Sequence, residues 1–161
     1  MWPTQDDGTI PSMSSDAAAH TRSSFDGGRV ADAMTVGLIS CPPDTPLRDV
    51  AAIMTDARVH AVYVFDYAEG ETAALWGLVS DLDLVAAARG DITRLTARDA
   101  SVTPLVTVND DDLLTRAAQL LAENSVSHLA VLDRATDRPL GVLSTLDLAR
   151  VIAGSASANE T

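Results

Sequence analysis

The residues best suited to chemistry form one pattern written twice: Gly77-x-x-Ser80-x-x-Asp83 and Gly141-x-x-Ser144-x-x-Asp147. An ionised carboxylate accepts charge-assisted hydrogen bonds from a vicinal diol such as that of ribose, the task an acidic side chain performs in dinucleotide folds. A serine hydroxyl beside unpaired N–H groups at a helix start suits a ribose or phosphate oxygen. Glycine three residues earlier lets a second backbone come close. The same Ser-x-x-Asp spacing is also that of a capping box, in which the two side chains satisfy only the first turn of a helix. Capping leaves the repeated glycine unexplained, and spacing alone keeps both readings open. Asp81, Asp83 and Asp147 have no nucleophile or base placed beside them, so no catalytic residue is assigned and no hydrolase is expected. His60 and His128 each precede an apolar run. An isolated histidine is more often a surface or internally satisfied residue, and three scattered histidines lack metal-ligand spacing, so no metal site is expected.

An internal repeat holds these residues. Residues 32–66 overlay 99–133 at a constant offset of 67, which sets TPLRDVAAIMTDARVHAVYVFD on DLLTRAAQLLAENSVSHLAVLD. GLVSDLDLVAA at 77–87 then overlays GVLSTLDLARV at 141–151 at an offset of 64, so the first repeat carries three more loop residues. Each repeat predicts a short strand, at Leu38–Cys41 and at Leu105–Val108. A helix follows, with Leu47, Val50, Ala51 and Met54 on one face in the first copy and Leu114, Ala117, Ala118 and Leu121 in the second. Thr45 ahead of Pro46, and Asp112, are the expected helix starts. Two apolar strands come next, Ala61–Asp66 with Leu75–Val79 and His128–Asp133 with Leu140–Leu143. A last helix begins at Ser80 and at Ser144 and stops near Gly90 and Gly154. The expected fold class is α+β, two β-α-β-β-α units, each too small to be comfortably stable without the other. The chain divides into a disordered tail at 1–24, repeats at 25–90 and 91–154, and a frayed end at 155–161.

Composition narrows the function classes. The 161 residues include 23 acidic and 11 basic side chains, a net charge of −12. Nucleic acid is not an expected partner, because a phosphate backbone is bound by a basic face. All eleven basic residues are arginine, which rules out Schiff-base chemistry and a P-loop lysine. The single cysteine, Cys41, excludes an internal disulfide framework and a cysteine-based zinc site, and reads as a small strand hydrophobe. No membrane-length apolar run and no secretory signal is present, so a cytoplasmic location without membrane association is expected.

The order and duplication of these pieces carry a resemblance. DAMT at 32–35, PDTPLRDVAAIM at 43–54, HAVYVFD at 60–66 and GLVSDLDL at 77–84 are followed by DDDLLTRAAQLL at 110–121, SHLAVLD at 127–133 and GVLSTLDL at 141–148. Over residues 30–153 the chain resembles a tandem pair of CBS domains, a Bateman module, of the stand-alone type. The second copy departs at its start, where DASV stands for DAMT. The resemblance implies two CBS repeats packed with pseudo-twofold symmetry. It implies no enzyme and no required cofactor, but a regulatory adenosine-containing ligand: AMP, ADP, ATP or S-adenosylmethionine. The ligand-binding residues it implies are Ser80, Asp83, Ser144 and Asp147, with Gly77 and Gly141 beside them. Ile39, Ser40, Val106 and Thr107 would frame adenine from the first strand of each repeat, and His60 and His128, with Arg58 a weaker candidate, would face the phosphates. A homodimer and a separate regulated protein are the implied partners. The alternative is a protein-interaction and dimerisation module whose nucleotide sites are vestigial and whose Ser–Asp pairs only cap helices.

Overall fold

Two short, mostly apolar runs, AVYVFD and HLAVL, become the central strands of two sheets. This computed structural model describes residues 25–66, 74–101 and 105–154; the expected tail at 1–24 and frayed end at 155–161 lie outside them. In chain order the elements are α1 (Val30–Ala33), β1 (Thr35–Val36), β2 (Ser40–Cys41), α2 (Leu47–Ala57), β3 (Ala61–Asp66), β4 (Ala74–Ser80) and α3 (Asp81–Ala87). A 3-10 turn at Ile92–Arg94 leads to α4 (Ala97–Ala100), β5 (Thr107–Asn109), α5 (Leu114–Asn124), β6 (His128–Leu132), β7 (Pro139–Ser144) and α6 (Thr145–Ile152). One sheet runs β2-β3-β4, the other β1-β7-β6-β5. In each, the entering strand is parallel to the central one and the following strand antiparallel, with Ala61 opposite Ser80 and His128 opposite Ser144. This is the expected pair of α+β repeats.

The predicted helix faces are the buried ones: Leu47, Val50 and Met54 on α2, and Leu114, Ala117 and Leu121 on α5. The helix starts differ from expectation. Neither α2 nor α5 has a side-chain cap, and the carboxylate of Asp112 instead accepts the N–H of Asn109 in the preceding turn.

The leader of each repeat crosses to the other. Val30 and Ala33 of α1 sit in the second repeat's core with Leu114, Leu129 and Leu143. Ala97 of α4 sits in the first repeat's core with Leu47, Val62 and Val79. The backbone bonds are reciprocal: Leu47 N–H donates to Leu95 O and Leu114 N–H to Gly28 O, while Ala97 N–H donates to Thr45 O and Val30 N–H to Asp112 O. Each pair is related by the offset of 67, which is pseudo-twofold symmetry written in hydrogen bonds. A third apolar cluster, Ala61, Tyr63, Leu78 and Ala130, joins the two sheets. There the buried Tyr63 hydroxyl donates across the repeats to Gly141 O at 2.6 Å. β1 also crosses, pairing with β7 at Thr35–Val142 and Val36–Gly141.

Candidate functional site

Both Ser-x-x-Asp pairs form complete capping boxes at the starts of α3 and α6. Asp83 Oδ2 accepts the Ser80 N–H and hydroxyl, each at 2.7 Å, and Ser80 Oγ accepts the Asp83 N–H at 3.3 Å. Asp147 Oδ2 accepts the Ser144 N–H at 2.8 Å and hydroxyl at 2.7 Å, and Ser144 Oγ accepts the Asp147 N–H at 3.2 Å. The copies diverge at the other carboxylate oxygen. Arg150 Nη1 donates to Asp147 Oδ1 at 2.9 Å, whereas the matching position in α3 is Ala86. Asp147 is buried and Asp83 half-buried. The repeated glycine has its own explanation in the second copy: a Cβ at Gly141 would overlap the carbonyl oxygen of Thr35, so β1 approaches β7 only because the residue is glycine.

Each Ser–Asp pair borders a cleft whose opposite wall comes from the other repeat. The larger cleft, about 500 Å³, places Ser144, Asp147 and Arg150 against Ile39, Arg58 and His60. The smaller, about 150 Å³, places Ser80 and Asp83 against Val106, Ser125 and Ser127. The wall residues correspond under the offset of 67. Arg58 and Ser125 end α2 and α5 in the left-handed conformation, φ 55° and 53°. This turn normally selects glycine, since a side chain there costs about 1–2 kcal/mol. Behind the Arg58 turn, Val59 N–H donates back to Met54 O, which turns the chain sharply into β3 and leaves Arg58 at the cleft wall.

His128 lines both clefts. Its Nδ1 lies 2.9 Å from Ser127 Oγ. Burial pushes its pKa below the usual histidine value; His60 acts in the same direction, and Asp81, Asp147 and Asp83 oppose it. His60 is more exposed and pairs with Asp81, Nδ1 to Oδ2, at 2.9 Å. Burial raises the Tyr63 phenol, which stays protonated and keeps its bond to Gly141. In a chain of net charge −12, the larger cleft thus gathers two arginines and two histidines around one carboxylate.

Of the residues singled out in the sequence, Ser144, Asp147, Ile39, Arg58, His60 and His128 come together at the larger cleft, and Ser80, Asp83, Val106 and His128 at the smaller. Ser40 and Thr107 are exposed on β2 and β5, and Gly77 and Gly141 are buried in β4 and β7; these four border neither cleft. Sequence reasoning missed Arg150 and Tyr63. Arg150 carried a signal, since a residue three positions after Asp147 shares its helix face; Tyr63 reads as an ordinary strand aromatic.

The CBS domain profile matches residues 30–90 and 97–154. The chain belongs to the CBS domain family, as a tandem pair. No curated protein matches it in sequence. Among solved structures, it is similar to the CBS domain of the bacterial CNNM/CorC family Mg2+ transporter in complex with ATP, at TM-score 0.68 and 18% identity, covering 86% of this chain and 96% of that one. It is similar to the CBS domain pair of protein MJ0100 in complex with 5′-methylthioadenosine and S-adenosyl-L-methionine, at TM-score 0.67 and 18% identity, with 78% and 96% covered. It also resembles CBSX2 in complex with AMP, at TM-score 0.58 and 25% identity, with 78% and 96% covered. Among the described residues no helix is long and apolar enough to cross a membrane.

Proposed function

We propose that this chain is a regulatory ligand-binding module: an adenosine-containing nucleotide seats in the larger cleft, and its presence changes how the chain engages a partner protein. One observation carries the reading. The buried carboxylate of Asp147 borders a cleft of about 500 Å³ that is ringed by Arg58, Arg150, His60 and His128, which suits a ribose diol joined to an anionic phosphate. Ile39 supplies an apolar wall for adenine. The AMP, ATP and S-adenosylmethionine complexes of similar CBS pairs support the same ligand class. Ser80, Asp83 and Val106 form the corresponding second site, and no cofactor is required. Thermal unfolding with AMP, ATP and S-adenosylmethionine tests the reading. A ligand at 100 times its dissociation constant adds roughly 2.7 kcal/mol of stability by mass action, and no shift with any of the three would overturn it.

A second reading has its own support: both capping boxes are complete without a ligand. In that case the chain is an interaction and dimerisation module, joined through the exposed apolar residues Val85 of α3 and Ile152 of α6. A homodimer is compatible with both readings; nucleotide binding separates them.

A further inference from the structure

We propose that Arg150 makes the larger cleft selective for adenosine ligands that carry a phosphate, a selectivity the smaller cleft lacks. The inference rests on the reading of Asp147 as a ribose acceptor. Arg150 is where the two Ser–Asp helices part, and on the facing wall Arg58 and His60 stand where the smaller cleft has Ser125 and Ser127. It lines the larger cleft and holds Asp147 Oδ1 through Nη1 at 2.9 Å, with its side chain 52% exposed against 8% for that of Asp147. Its counterpart in α3 is Ala86, and the smaller cleft has no arginine among its described lining residues.

A guanidinium is charged at every physiological pH, and its planar fork of five N–H donors recognises phosphate oxygens bidentately. Beside the carboxylate that receives the ribose, it stands within one nucleotide's reach of a 5′-phosphate. Arg58 and His60 on the opposite wall extend the same positive field. The smaller cleft offers Asp83, Ser125, Ser127 and the shared His128 instead, a lining with one fixed negative charge and no fixed positive one. Such a lining gives a phosphate group no net attraction.

Arg150 could act on the ligand or merely hold Asp147 in place, and these make different predictions. A residue that only positions Asp147 affects every ribose-bearing ligand equally, whereas a phosphate selector affects only the charged one. Calorimetry on the full chain, with AMP and adenosine as probes, separates them across wild type, Arg150→Gln and Arg150→Lys. The expected result is that Arg150→Gln weakens AMP about tenfold, as for loss of one charge-assisted bond, while adenosine changes by less than about twofold. Arg150→Lys, which keeps the charge and lacks the fork, should retain part of the AMP preference. Equal weakening of both probes by Arg150→Gln, or an unchanged AMP preference, would overturn the proposal and leave the nucleotide reading intact. Binding of neither probe by the wild type would overturn the nucleotide reading itself.

Discussion

Asp147 is committed before any ligand arrives: Oδ2 holds the cap and Oδ1 holds Arg150. Replacing it with alanine removes a helix cap, so the ligand-free chain should lose about 0.5–2 kcal/mol. Asparagine keeps a cap acceptor and removes the charge, which separates folding from binding. His128 gives a pH signature. Burial holds it below the ordinary value of 6.5, so the unfolded chain takes up the proton first. Stability therefore declines as pH falls through 6.5 towards the lower folded value, and the histidine imposes no such loss above that window. Urea midpoints at about pH 7.5 and 6 should fall more for the wild type than for His128→Gln; an equal fall in both would contradict the assignment. The Ser–Asp pairs were legible at this scale because their spacing is local. Ile39, His60 and Arg58 were legible only through the family resemblance, because they lie in a different repeat from Asp147 and no local spacing links them to it.

At the scale of elements, the leaders make the two repeats interdependent. The amphipathic helices and apolar strands could be read from periodicity, since Leu47, Val50 and Met54, or Leu114, Ala117 and Leu121, mark a face several turns long. α1 and α4 could not: four residues each is too short for a period to show. Nothing local in Val30 or Ala97 says that it completes the core of the opposite repeat. The crossing backbone also rests on single residues. Gly141→Ala should destabilise by about 1–3 kcal/mol or more, because the added methyl meets the Thr35 backbone rather than a flexible side chain. Tyr63→Phe should cost about 1–3 kcal/mol, since Gly141 O loses its buried donor. Chemical denaturation measures both. A Gly141→Ala variant as stable as the wild type would mean that β1 does not lie against β7 as described.

At the scale of the whole molecule, two surfaces decide behaviour: the cleft between the repeats and the outer faces of α3 and α6. Val85 and Ile152 are each more than half exposed on those faces, while Leu82 and Leu146 at the same helix starts border the clefts. Light scattering at tens of micromolar should give twice the chain mass, with Val85→Arg moving the equilibrium towards monomer; a strict monomer would contradict this. The overall duplication was plain in the sequence, but the inequality of the two clefts, about 500 and 150 Å³, emerges only when the repeats are packed. That inequality leads to the central claim, that an adenosine nucleotide binds at Asp147. The most direct measurement is calorimetric titration of AMP into the full chain, comparing wild type with Asp147→Asn and Asp83→Asn. The account predicts that Asp147→Asn weakens binding roughly ten- to a hundredfold, that Asp83→Asn weakens it less, and that both variants remain folded. Unchanged affinity in the folded Asp147→Asn protein would contradict it.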